Sequence, residues 1–367
     1  MSEYTINDYY LAGGDHNTFR DLSGRLWTVH VESSVVYIAY SDDDGETWTT
    51  EQVYEAPGDA DWRCGIAVDS AGNAHVVWAN TGEGENSDLA RVQYRKRATN
   101  GTWGDVETIY EVTSSSEDSC PSIVVDSDDD PHVAFCRGGN LYYASRGASE
   151  WTVEEVPNGD AGELALAVDG ENLYILTTYN TYVYLFTRDS GGSWSKETVR
   201  YKDGASYKVP RLIVVNGTIY CSWYDSSADE IQYRCKDGSW GDIEIVADSS
   251  LINSNGSLQL RQDGTVIAVY TKKGGAAWVY QIYKRERSGS GWGSESMVFE
   301  SDEFVARPGA FYARYPQLNI LKNGIAVAYQ YDYWGSNFYK TDDLSWSDTL
   351  WIPGAVSYTH LTLPTKA

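Results

Sequence analysis

Apolar runs that stop at Asp or Asn, most with a Gly close behind, recur along the chain. They are GIAVDSAGNAHVVW (65–78), SIVVDSDDDPHVAF (122–135), LALAVDGENLYIL (164–176), LIVVNGTIYCSW (212–223), LQLRQDGTVIAVY (258–270) and LNILKNGIAVAY (318–329), with a weaker copy, FRDLSGRLWTVHV, at 19–31. Each run reads as a strand. The Asp/Asn-Gly step reads as a tight turn that needs positive φ, and the alternating residues after it as a second strand. A third strand carries an aromatic residue: Tyr40, Tyr94, Tyr143, Phe186, Tyr233, Tyr283 or Tyr339. Seven to nine residues further on stands a tryptophan that opens a fourth strand: Trp48, Trp103, Trp151, Trp194, Trp240, Trp292 and Trp346, spaced 55, 48, 43, 46, 52 and 54 residues apart.

A four-stranded unit of this length, repeated radially, is a propeller blade. The pattern predicts an all-β fold, a β-propeller of seven four-stranded blades. Residues 16–355 form the single propeller domain, and 1–15 an N-terminal segment able to supply a ring-closing strand. The last residues, VSYTHLTLPTKA (356–367), lack the pattern and read as a non-native, adapter-derived tail.

Composition narrows the partners. The 367 residues carry 28 Lys and Arg against 53 Asp and Glu, a net charge of −25. That excludes nucleic acid, which requires a basic footprint, and an anionic membrane surface. No apolar run is long enough to insert into a membrane, and the N-terminus shows no secretory signal. The 14 Trp and 29 Tyr suit half-buried strands and sugar-stacking surfaces. Five cysteines are too irregular for a disulfide scaffold. Cys120 and Cys136 flank a predicted hairpin turn as cross-strand neighbours, either bridged or reduced in the core.

One turn is a strong motif. SDDDGETW (41–48) fits Ser-x-Asp-x-Gly-x-Thr-Trp, the Asp-box, through Ser41, Asp43, Gly45, Thr47 and Trp48. TRDSGGSW (187–194) is a near match through Asp189, Gly191 and Trp194. The expected role is structural. Asp43 accepts backbone N–H groups, Gly45 takes the left-handed conformation and Trp48 packs under the hairpin. The acidic turn DSDDDP (126–131) lacks EF-hand spacing, and no zinc pattern is present. The expectation is therefore no cofactor and no catalytic metal, a structural calcium being the one ion left open. His75 and His132 open the second strand in two units, which points to turn hydrogen bonding.

An Asp-box in a propeller of this blade pattern resembles the sialidase (neuraminidase) superfamily and its BNR-repeat relatives. The resemblance covers residues 15–352. It implies exo-sialidases, other glycosidases or non-enzymatic sugar binders, and a six-bladed ring as the alternative to seven. It also implies an Arg-Ile-Pro motif, which this chain lacks; its nearest strings are VPRLIV (209–214) and ARYPQL (313–318).

Aligning the units on their turns puts Asp15/His16, Arg63/Cys64, Cys120/Pro121, Glu163, Arg211, Ser257 and Gln317 at the mouth of the central channel. Arg314 lies just before the last of these, in the cluster ARPGAFYARYP (306–316) with Arg307 and Tyr312. Arginine forks suit carboxylated sugars, and aromatic rings stack on sugar faces. As a glycoside hydrolase the site would use Tyr312 as nucleophile and Asp61 or Glu163 as acid/base. Arg63, Arg211 and Arg314 would hold the carboxylate, with Arg307, Trp62 and His16 as further substrate contacts. As a uronate polysaccharide lyase, Tyr312 or His16 would remove the proton. The third reading is a non-catalytic lectin, adhesion or virion-surface module. In each the partner is carbohydrate, an acidic glycan, and the protein a monomer or part of a larger assembly. Whether it is catalytic, and where it resides, stay open, the resemblance pointing to an extracellular or virion-associated protein.

Overall fold

The computed structural model describes residues 2–340 apart from 8–9, 12–17, 22, 33–34, 44–45, 56–59, 82–88, 114–120, 148, 249–251, 262, 274–279, 290, 301–313, 322–323 and 333–334. For 2–19, 32, 60–63, 81, 89, 113, 252–256, 273, 280, 298–300 and 314–340 the description is of backbone pairing. The described strands form seven antiparallel sheets and no helix.

The sheets follow the chain. Blade 1 holds Tyr10–Leu11, Thr18–Arg20, Leu26–Glu32, Val35–Ser41 and Thr49–Glu55. Blade 2 holds Ala60–Val68, Ala74–Thr81, Leu89–Arg97 and Glu107–Thr113. Blade 3 holds Ser122–Val125, Pro131–Arg137, Asn140–Arg146 and Trp151–Asp160. Blade 4 holds Glu163–Asp169, Asn172–Tyr179, Tyr182–Arg188 and Trp194–Tyr201. Blade 5 runs from Tyr207–Val215 to Glu244–Asp248, and blade 6 from Ile252–Leu260 to Ser296–Glu300. Blade 7 holds Arg314–Leu321, Gly324–Asp332 and Gly335–Lys340, and its outer strand is Ser2–Asn7 from the other end of the chain.

First strands pack on first strands around the axis. Arg314–Leu321 contacts Ile252–Leu260 on one side and Thr18–Arg20 on the other, so the circuit closes. The core lies between blades. One cluster joins Trp27, Val29 and Ile38 of blade 1 to Ile66, Val76 and Trp78 of blade 2, and similar layers fill the next four seams. Burial on both faces explains the nearly unbroken apolar runs of the first strands.

The turn between first and second strand behaves as its sequence demands. Asn216 and Gly217 have φ of 50° and 75°, the pair of positive values a type I′ hairpin needs. Elsewhere an Asp ties the turn. The Asp69 carboxylate accepts from the Asn73 backbone N–H (2.7 Å), the Asn73 side-chain amide (2.7 Å) and the Lys96 ammonium (3.1 Å), and bonds the His75 ring (3.1 Å), whose other nitrogen meets the Tyr94 hydroxyl (2.8 Å). His132 repeats the arrangement between Asp126 (2.9 Å) and Tyr143 (2.6 Å). Both histidines stand in second strands and bond the Asp of the turn before them, the turn hydrogen bonding their equivalent positions point to. Cys136 is a buried thiol whose Sγ–H donates to the Gly162 carbonyl, and Cys120 lies outside the described residues.

In the turn at 41–48, Asp43 accepts from the Ser41 hydroxyl (2.7 Å), the Thr47 N–H (2.8 Å) and the Thr47 hydroxyl (2.6 Å). Burial opposes them, yet the Thr47 and Ser41 bonds hold its carboxyl below the usual carboxylate range. Gly45 lies outside the described residues. In the turn at 187–194, Asp189 accepts the Ser193 N–H, and the left-handed residue is Gly192 (φ 84°), one place beyond Gly191. A Cβ on Gly192 would stand 3.1 Å from the Arg188 guanidinium. Gly192→Ala is expected to cost about 1 kcal/mol, chiefly from the positive φ, read as a lower urea midpoint. Gly191→Ala, in the same turn, is expected to cost less.

Candidate functional site

The repeat has a second function for its tryptophans. In each described seam up to blade 5, a glutamate on the outer strand of one blade accepts the indole N–H and takes the cation of the next. Glu51 takes Arg97 (2.6 and 2.7 Å) and Trp103 (3.2 Å). Glu107 takes Arg146 (2.9 Å twice) and Trp151 (2.8 Å). Glu154 takes Arg188 (3.2 Å) and Trp194 (2.9 Å), and Glu197 takes Lys236 (2.6 Å) and Trp240 (3.0 Å). At the next seam Glu244 takes Arg287 (2.7 to 3.0 Å). Indoles also meet rings of the preceding blade edge-on, Trp151 with Tyr94, Trp194 with Tyr143 and Trp292 with Tyr233.

A second set of arginines staples backbone. Arg95, Arg234 and Arg285 each donate to a carbonyl of the preceding blade (Val53, Val199, Val246) and to the glycine carbonyl after their own blade's tryptophan (Gly104, Gly241, Gly293). Many described cations of these blades are thus held in seams.

Arg211 is the arginine that alignment of the units selects in blade 5. It lies on the first strand of blade 5, is 6% exposed, and donates to the Pro210 carbonyl (3.2 Å). The backbone before it is irregular. Lys208 pairs with Tyr224 and Arg211 with Ser222, so three steps on the first strand face two on the second, a β-bulge. Within the bulge Val209 has φ of 51°. A β-branched residue in the left-handed region is an outlier, at a cost of about 1–3 kcal/mol. Glu163, at the start of the first strand of blade 4, accepts the Val209 N–H with one carboxylate oxygen and so holds the bulge.

Of the candidate catalytic and substrate-binding residues, Glu163 and Arg211 are the two whose side chains the structure describes, and Glu163 bonds the backbone two residues before Arg211. The others fall on the same end of other first strands or outside the described residues. Asp61, Trp62 and Arg63 occupy a bulge in blade 2, where the register moves from Ala60–Asn80 to Cys64–Trp78. Arg314 opens the first strand of blade 7 and precedes a bulge that ends at Gln317. Blade 6 has two such breaks between Ile252 and Ser257. His16, Arg307 and Tyr312 lie outside the described residues. No group of three His, Cys, Asp or Glu among the described residues is placed to hold a metal ion.

No protein-family model matches the sequence, and no curated protein matches it. Solved structures do match in fold. A virginiamycin B lyase from Staphylococcus aureus, in a catalytically inactive form with quinupristin, superposes with a TM-score of 0.53 at 14% identity, over 92% of this chain and 99% of that one. The polysaccharide lyase Uly1 superposes with a TM-score of 0.56 at 10% identity, over 91% of each chain. The NanB sialidase from Streptococcus pneumoniae gives 0.45 at 14% identity over 92% of this chain and 71% of its own, too low to carry an argument. At these identities the likeness speaks for the fold. The protein is a β-propeller.

Sequence reasoning missed the seam glutamates, although a signal was there. Each carboxylate stands three or four residues after a tryptophan, at Trp48/Glu51, Trp103/Glu107, Trp151/Glu154, Trp194/Glu197 and Trp240/Glu244.

Proposed function

We propose that the protein is a carbohydrate-active propeller that binds an acidic glycan at the mouth of its central channel. The observation that carries this reading is the strained bulge at Val209–Pro210, held by Glu163 and leading directly into Arg211. Backbone outliers of this kind persist where the surroundings over-determine them, and they cluster at ligand clamps. A guanidinium presents a planar fork that matches a sugar carboxylate.

In this reading Arg211 recognises the carboxylate, together with Arg63 and Arg314 from the corresponding ends of blades 2 and 7. Glu163 is first a positioning residue, since one oxygen is committed to Val209; Asp61 is then the carboxylate to test as acid/base. Tyr312 is the nucleophile of a hydrolase or the base of a lyase, with His16 the alternative base, and Arg307 and Trp62 are further sugar contacts. A polysaccharide lyase has this fold, so elimination is to be assayed beside hydrolysis. The turns at 41–48 and 187–194 are Asp-boxes in the sense of the BNR repeat, with a structural role.

The test is calorimetric titration with a homologous series of uronate and sialylated oligosaccharides, followed by incubation. Wild type is expected to bind at least one acidic oligosaccharide. Arg211→Ala is expected to weaken that binding about a hundredfold, as loss of a buried charge-assisted pair does. Growth of absorbance at 235 nm identifies a lyase, new reducing ends without it a hydrolase, and binding without product a lectin. Equal affinity in wild type and Arg211→Ala would refute the channel site.

A further inference from the structure

Blade 4 carries an aromatic feature that the channel does not use. Tyr201, the last residue of its outer strand, is 52% exposed, a rare state for a large ring among the described residues. It is not loose. Its ring stacks on Tyr182 with centroids 4.7 Å apart and planes at 25°, and Tyr182 stacks on Tyr184 at 5.0 Å and 10°. The Lys196 ammonium lies 3.7 Å from the Tyr184 ring centroid and is itself fixed by the Asp160 carboxylate (2.8 Å) and the Asn158 carbonyl (2.8 Å) of blade 3. A cation at one end therefore anchors a three-ring ladder, and the other end is open to solvent.

The register says where this ladder lies relative to the channel. Glu163 pairs with Thr178, Thr178 with Val183, and Val183 with Arg200, one rung straight across blade 4. Tyr179, Tyr182 and Tyr201 form the next rung. Tyr201 thus sits at the outer end of the rung beside the one whose inner end is Glu163. Three inter-strand steps of about 4.8 Å and one residue along the strand separate them, roughly 15 Å, within reach of a short oligosaccharide chain.

We infer that Tyr201, backed by Tyr182 and Tyr184, is a stacking platform for a pyranose ring of a glycan whose acidic end occupies the channel. A ring held flat on one face and exposed on the other loses little entropy on binding, and the apolar face of a pyranose complements it. Aromatic side chains that pack only for stability have no need to present half of their surface to water. The inference rests on the glycan reading of the channel, and extends it from a single sugar to a chain.

The probes are a galacturonate dimer and a galacturonate hexamer, measured by titration against wild type, Tyr201→Ala, Tyr201→Trp and Arg211→Ala. Tyr201 ring resonances are followed in parallel. Tyr201→Ala is expected to weaken the hexamer about tenfold and leave the dimer unchanged, and Tyr201→Trp to restore the hexamer. If Tyr201→Ala binds the hexamer as wild type does, the platform is refuted while the channel site stands. If Arg211→Ala still binds the hexamer and shifts the Tyr201 ring, the platform stands and the channel reading fails. A hexamer that binds neither protein, with the Tyr201 resonances unmoved, overturns the platform outright.

Discussion

Replacing Glu51 by alanine is expected to lower the free energy of unfolding by about 3 kcal/mol, the largest loss among the five seam glutamates. The reason lies in what remains behind. Arg97 keeps only 6% of its side-chain surface, and Glu51 25%. With the carboxylate gone, a guanidinium stays buried without its countercharge, against the rings of Tyr40 and Trp27 (5.2 and 5.9 Å), and the Trp103 indole N–H loses its acceptor. The pair's strength is visible in its titration. The Arg97 hydrogen bond holds the Glu51 carboxyl below the usual range, and the same contact raises Arg97. Glu107, Glu154, Glu197 and Glu244 have more exposed pairs, so alanine there is expected to cost about 1 kcal/mol each. Glu51→Gln keeps an acceptor for Trp103 and is expected to fall between. Urea unfolding of the five alanine variants checks the ranking; equal losses at all five positions would remove Arg97 burial as the cause.

The second large effect is acid sensitivity with a defined onset. His30 is fully enclosed and stacked on Tyr37, and burial pushes it down from 6.5 to about 3. Burial also pushes His75 down, outweighing the Asp69 carboxylate that raises it. Both rings stay neutral in the fold at a pH where the unfolded chain takes up a proton. The stability they contribute is complete above about pH 6.5 and falls as pH drops through that value, at roughly 1.4 kcal/mol per pH unit for each ring. Carboxylates join lower down. Against burial that raises it, Asp69 is held well below the usual carboxylate range by His75, Asn73 and Lys96. Glu197 is lowered, again against burial, by Lys236 and Trp240. Groups depressed in this way stabilise above their unfolded value and lose that contribution on acidification. Unfolding midpoints are therefore expected to be flat from pH 8 to 7, to decline from about 6.5 with a slope of at least one and at most two protons, and to steepen below about 4.5. His30→Gln is expected to reduce the first slope by one proton. A midpoint constant from pH 7 to 4.5 would contradict the account.

The ring was legible because one blade's grammar is local. An apolar run, an Asn-Gly step such as Asn216–Gly217, and a tryptophan at fixed distance define the unit within about fifty residues, and radial repetition is the architecture that buries such units. The seams were not legible from the tryptophans alone, because each partner belongs to another blade. Glu51 and Arg97 are 46 residues apart, and Glu154 and Arg188 are 34. The outer strands show how finely the two levels are coupled. Where Gly follows the tryptophan, in blades 2, 5 and 6, the strand breaks after Trp103, Trp240 or Trp292 and an arginine fills the gap. Where Thr152 or Ser195 follows, the strand runs on from Trp151 or Trp194 without a break. At the channel, alignment of the units brought Glu163 and Arg211 to one level. It gave no hint of the bulge in the Arg211 strand, because a register shift depends on the partner strand and a positive φ at Val209 runs against that residue's preference.

A crystal structure of the protein with a bound galacturonate hexamer tests the central claim most directly. The account predicts a sugar carboxylate within hydrogen-bond distance of the Arg211 guanidinium, at the bulge that Glu163 holds, with the chain leaving the channel over blade 4. A hexamer seated elsewhere, with Arg211 still turned to Pro210 and no sugar at the channel mouth, would contradict it.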